Sequence, residues 1–224
     1  MDGHSGVREP SRGRNRRGED TRDAIRSGLA TLLAGRCYAD IRLAEIFRAA
    51  GVSRGAFYGH YTSKEAVASD LIEIEHERAY DIITSRIHST PDSVEQLVVT
   101  LLTYASYMVE RPQFSAALNL KRYLHSTGAA QISDSPRWHE LITGLISRAI
   151  DSGDIRADVD PSRFAHFVVA SIAAVRLVCA QTHSYADLRD RVKDVLQYAL
   201  LGTLVPDRLD YFETYLSRHL PTTE

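Results

Sequence analysis

Apolar residues recur along this 224-residue chain at helical spacing, and strand-like alternation between hairpin turns is hard to find. From Thr21 to Ala34, residues Ile25, Leu29, Leu32 and Leu33 fall at i, i+4, i+7 and i+8. That spacing predicts one buried face of a first helix ending near Gly35. Leu43, Ile46, Phe47 and Ala50 repeat the pattern over a short second helix that stops at Gly51. Ser53 is placed to cap a third helix of about two turns that carries Phe57 inward, and Thr62 with Glu65 reads as a T-x-x-E capping box for a long fourth helix. The fold class that follows is all-α.

Further along, Thr90-Pro91, Ser135-Pro136 and Asp160-Pro161 read as helix starts, because the first residue caps free amides and proline suits the first helical position. The helix from Pro161 carries Phe164, Phe167, Val168, Ser171, Val175 and Val178 along one stripe. The next, from about Tyr185, carries Leu188, Val192, Val195, Leu196 and Ala199. Two helices this apolar either bury themselves in their own core or pair with a second subunit. No apolar run approaches 18 residues, so no membrane span is expected. Cys37 and Cys179 suggest no disulfide framework, and the Arg-rich start lacks the apolar core of a signal peptide, so the expectation is a soluble cytoplasmic protein.

Net charge is −2 overall but unevenly placed. Residues 1–64 hold twelve Arg and Lys against seven Asp and Glu, whereas residues 65–224 hold fifteen against twenty-two. A basic front joined to an acidic remainder fits a nucleic-acid contact surface attached to something that avoids phosphate; a fluctuation between solvated faces is the plainer reading. Arg8, Arg12, Arg14, Arg16 and Arg17 sit among Gly, Ser, Pro and Asn without apolar period, which predicts a flexible basic arm over 1–18. Such arms bind phosphates or the minor groove in some proteins, and a solvated leader is an equal reading.

The segment from Arg42 to Tyr61, RLAEIFRAAGVSRGAFYGHY, reads as helix, tight Gly-containing turn, helix. The second of these helices fits a major groove: Gly55 and Ala56 are small enough for close approach, Arg54 reaches a guanine or a phosphate, and Tyr58 reaches a phosphate or a thymine methyl. On the pattern alone, a core helical hairpin is as good a reading. The run AAGVSRGAFYGHYTSKEAV, preceded by the spacer GRCYADIRLAEI, resembles the TetR family of bacterial transcription regulators. The resemblance implies a helix-turn-helix DNA-binding domain over 19–66 and a larger helical ligand-binding and dimerisation domain over 67–224. It implies base and phosphate contacts from Ser53, Arg54, Gly55 and Ala56, backbone contacts from Tyr58, His60 and Lys64, and a core role for Phe57. Arg42 stands where the family usually has Thr or Ser opening the second helix. A capping hydroxyl contributes about 1 kcal/mol, so Asp40 or the backbone is expected to serve as the cap while Arg42 pairs with phosphate.

The stretch from Ser135 to Leu188 resembles the γ-butyrolactone receptor branch of that family, through its R-W-H-E, its G-[DE]-[IL] turn and its closing S-x-Y-x-D-L. The resemblance implies a repressor that binds double-stranded operator DNA as a homodimer, controls specialised metabolism, and is released by a γ-butyrolactone, furan or butenolide effector. In that branch the tryptophan packs over the lactone ring, here Trp138, and a later hydroxyl bonds the lactone, aligned here to Ser171. Glu75 falls where receptors often carry glutamine, which leaves open a different ligand, a changed pocket or an exposed side chain. Tyr80, Tyr104, Tyr107, Phe114, Leu118 and Tyr123 are further lining candidates, with plain core the stronger reading for each.

Enzyme signatures are weak. His139-Glu140 lacks the second histidine of H-E-x-x-H, since position 143 is Thr. Cys179 and His183 make at most half a metal site. There is no G-x-S-x-G elbow, phosphate loop or dinucleotide fingerprint. No catalytic role, cofactor or metal is expected. The alternatives are an orphan regulator that ignores lactones, and a helical small-molecule-binding protein without DNA activity.

Overall fold

The computed structural model describes residues 12–128, 136–181 and 185–219, with backbone alone at 12–15 and 219. The expectations for Arg8, Ser135 and His183 lie outside the described residues. Within them the chain forms ten α-helices and no strand. These are α1 (Arg12–Leu33), α2 (Leu43–Ala49), α3 (Arg54–Tyr58), α4 (Lys64–Ile87), α5 (Ser93–Glu110), α6 (Pro112–Thr127), α7 (Arg137–Asp151), α8 (Pro161–Gln181), α9 (Leu188–Leu201) and α10 (Pro206–His219). The all-α expectation holds. The chain divides into two compact units, residues 1–75 with 116–132, and residues 76–115 with 133–224. The division falls inside α4, between Glu75 and His76, rather than at the start of that helix, and most of α6 belongs to the first unit.

In the first unit the predicted apolar faces converge. Ile25, Leu29, Ile46, Phe57 and Leu71 are buried in one cluster, which Leu120 and Leu124 of α6 complete. Gly28 lets α1 lie against the end of α2: a Cβ there would stand 2.9 Å from the Ala50 amide nitrogen. Gly51 turns the chain after α2 at φ +64°, a left-handed conformation that favours glycine. Three details differ from expectation. α1 begins at Arg12, so 12–18 are helical rather than arm-like. Ser63, not Thr62, caps α4, accepting the Ala66 N–H at 3.1 Å. The start of α2 is secured by Glu45, whose carboxylate accepts the Arg42 N–H at 2.8 Å, since an arginine side chain has no acceptor of its own.

The second unit packs α5 against α7 and α9, and α8 against α7 and α9. Asp160 caps α8 as expected, accepting the Arg163 N–H at 2.9 Å. For α5 the cap is Asp92, two residues beyond Thr90, because its carboxylate accepts both the Val94 and Glu95 amides. Arg208 of α10 reaches Asp92 and, at 2.8 Å, Asp154, tying three segments together. Among the described residues α8 is long and apolar enough to cross a bilayer by length and composition, a test that the core helix of a helical domain also passes. A scan for unbroken runs misses it because His166 and Arg176 interrupt the apolar sequence. Here its Phe164, Val168 and Ile172 are buried.

Candidate recognition helix and effector cavity

Two places carry chemistry, one in each unit. In the first, α3 is held by its buried underside. Phe57 is fully buried, with its ring 4.7 Å from Phe47 and 5.8 Å from Tyr61, while Ser53, Arg54, Gly55, Ala56 and Tyr58 are exposed. Ser53 caps α3 through the Ala56 N–H at 3.1 Å. Arg54 lies over the Tyr58 ring at 5.6 Å, so a cation and a phenol stand together on the open face. Among the described residues nothing requires glycine at 55, where an added Cβ would meet only Ser53 Oγ, at 4.0 Å. Glycine in a helix costs about 0.5–1 kcal/mol against alanine, so the bare position suits close approach by something outside the chain.

The residues around α3 are pinned by polar contacts. Lys64 donates to the carbonyls of Tyr38 and Ile41 at 3.0 and 2.9 Å and sits 4.1 Å from the Tyr38 ring centre. Two of its three N–H groups therefore hold the loop before α2. Arg36 pairs with Glu45 at 2.6 Å and donates to the Asp40 carbonyl. The Arg36 hydrogen bond, with the Arg42 amide second, lowers the Glu45 carboxyl to about 2. Arg42 is exposed at the start of α2. Beneath them the buried Arg26 gathers Glu19, Asp23 and Asp70 at 2.6, 2.9 and 2.9 Å, and the Tyr61 hydroxyl donates to Asp70. This hub joins α1 to the first turns of α4.

The second place is a cavity of about 150 Å³ within the second unit. His76 of α4, Thr100, Leu101 and Tyr104 of α5, Phe114 of α6, Trp138 and Ile142 of α7, and Val169, Ile172 and Ala173 of α8 line it. Trp138 stands edge-on to Tyr80 and Tyr104, centroids 5.4 and 5.6 Å away, and Phe114 meets Tyr104, Tyr107 and His76 in the same manner. Arg137 fixes the entry to α7 by pairing with Glu77 and lying 4.0 Å over the Tyr80 ring. Burial pushes the Tyr104 phenol up, with the nearby Arg176 charge opposing. The lining contains no carboxylate, ammonium or guanidinium.

Of the predicted ligand residues, Trp138 lines the cavity and Glu75 and Ser171 do not. Each misses by one position: His76 and Ile172 are the lining residues, and one residue turns a helix by 100°. Glu75 is 1% exposed, which removes the reading of an exposed side chain. Of the six aromatic and leucine candidates, only Tyr104 and Phe114 reach the cavity. Sequence reasoning passed over His76 and Thr100, whose polarity inside otherwise apolar helix faces was the available signal. Cys179 donates to Asp187 at 3.7 Å, a link between α8 and the start of α9. Among the described residues no group of three His, Cys, Asp or Glu is placed to hold a metal.

The family model for bacterial regulatory proteins of the tetR family matches residues 25–71, and that for the tetracyclin repressor-like C-terminal domain matches 91–206. The chain belongs to the TetR family. Its members are DNA-binding regulators rather than enzymes. Within the family, the chain is 23% identical over 164 residues to the A-factor receptor protein of Streptomyces griseus, a match spanning 73% of this chain and 56% of that protein. Among solved structures it is similar to a gamma-butyrolactone receptor described as ArpA-like, at 25% identity and TM-score 0.71, covering 90% of this chain and 97% of that one. It is also similar to the TetR family protein CprB of Streptomyces coelicolor, at 25% identity and TM-score 0.74, covering 92% and 100%.

Proposed function

We propose that this TetR-family chain is a cytoplasmic repressor that binds operator DNA as a homodimer and is released when a small γ-butyrolactone-like molecule fills the Trp138 cavity. The observation that carries the ligand half is the cavity's composition. An indole, a phenol and apolar side chains surround it, with His76 and Thr100 as added polar groups and no carboxylate, ammonium or guanidinium in the lining, which suits a neutral lactone, furan or butenolide. The similarity to a solved gamma-butyrolactone receptor supports the same class.

Ser53, Arg54, Gly55, Ala56 and Tyr58 meet the major groove, with Arg42 and His60 on flanking phosphates. Lys64 acts mainly by holding the loop that presents them. Phe167 and Val178 on α8, with Tyr198 and Leu201 on α9, are 53%, 45%, 76% and 41% exposed and form the apolar surface for a second subunit. Ligand release is a population shift. α4 is one continuous helix from Lys64 to Ile87 and carries His76 in the cavity, so a ligand that prefers one setting of that helix biases the grip on DNA.

The test is selection of duplexes from a random pool by the purified protein, followed by fluorescence anisotropy on the winner with a panel of lactones, furans and butenolides. A palindromic winner released by one class supports the reading. No enrichment sinks the operator half, and a stable complex with every compound sinks the ligand half. Trp138→Ala should keep operator affinity and raise the releasing concentration at least about tenfold; unchanged release would remove Trp138 from the site.

A further inference from the structure

We infer that the start of α1 forms a second DNA contact, in which Arg16 and Arg17 neutralise backbone phosphates beside the recognition helix. This rests on the operator-binding reading above and adds a contact outside the helix-turn-helix. Residues 10–18, PSRGRNRRG, contain four arginines and no carboxylate. Arg16 and Arg17 are exposed, and among the described residues neither is in an ion pair. The nearby acids Glu19 and Asp23 are turned to the buried Arg26, at 2.6 and 2.9 Å, rather than to Arg16 or Arg17.

Position links this charge to α3. His60, just beyond the recognition helix, has its Cε1 3.8 Å from where a Gly18 Cβ would stand, and Arg22 lies 5.7 Å from the Tyr61 ring centre. α1 therefore runs past the end of α3 and continues from Gly18 back to Arg12, about 9 Å at 1.5 Å per residue. Closely spaced like charges on a glycine-containing helical end disfavour the helix unless counter-charge arrives from outside. A phosphate backbone is such a counter-charge, and it reads no sequence.

The experiment measures operator affinity against salt, from about 0.05 to 0.3 M, for the unmodified protein, the R16A/R17A double variant and the R16K/R17K variant, on a duplex enriched by the unmodified protein. Alanine preserves helix propensity, and circular dichroism checks that helix content is kept. R16A/R17A should make the slope of log K against log salt shallower by about two to four, near 0.9 for each phosphate that two subunits together no longer neutralise. R16K/R17K should restore it. An unchanged slope in R16A/R17A, on a duplex the protein did select, overturns the second contact and leaves the operator reading standing. Failure of the protein to select any duplex overturns that reading and this one together.

Discussion

The two units solve opposite problems with similar material. In the first, polar groups face inward as a fixed hub: Arg26 ties α1 to α4 through Asp70, Glu45 and Lys64 pin the loop around α2, and a small helix is left bare on one side. In the second, aromatic rings meet edge to face around a space they do not fill. A surface that must match a rigid duplex gains from being held in advance, because any freedom it kept would be lost on binding. A cavity that must report its contents gains from having more than one packing of nearly equal free energy. The same side-chain chemistry therefore has different consequences according to which unit holds it.

Two equal truncations break the comparison most sharply. Phe57 and Phe114 are both fully buried, and each change to Ala should cost about 3–5 kcal/mol in a denaturant titration. Phe57→Ala should also abolish operator binding, whereas Phe114→Ala should retain it and change ligand response; loss of DNA binding in both would mean the units do not separate function. Next in size is Gly28→Ala. Its Cβ meets backbone rather than a movable side chain, so a loss of about 1–3 kcal/mol is expected as a lowered Tm, while lactone affinity persists. Ser53→Ala removes a cap contributing about 1 kcal/mol and should weaken DNA binding without touching ligand affinity.

The smallest effect concerns acid. Glu45 titrates near 2 when folded, below the ordinary carboxylate value of 4.5, so its contribution is present above about 4.5 and disappears as pH falls through about 2. Glu45→Gln should flatten that part of the Tm-against-pH curve. An unaltered acid limb would show that the Arg36 and Arg42 contacts do not stabilise the fold.

These contrasts also explain what the sequence could convey. The helix-turn-helix is built from twenty consecutive residues, so cap, turn glycine and buried Phe57 can all be read in order. The cavity is assembled from five helices, and its residues are set by how each helix is rotated about its axis. Apolar spacing defines a face only to within a residue or so, and in a helix that slip moves Glu75 for His76 and Ser171 for Ile172. Caps show the same limit. Ser63 wins over Thr62, and Asp92 over Thr90, because the chain ends its turn one or two residues later than local preference alone suggests. The exposed apolar stripe of α8 was legible, yet its Phe164, Val168 and Phe167 divide between core and surface, which spacing could not separate.

One residue that no mechanism uses offers a direct view of the molecule at work. Cys37 is exposed in the DNA-binding unit, while Cys179 is buried and its thiol is pushed up by burial, so a thiol reagent meets one reactive site per subunit. A spin label or fluorophore attached there needs no engineered cysteine. In a dimer, the distance between two such labels becomes a ruler laid across the paired recognition helices, and adding effector or operator turns a proposed change of state into a measured length.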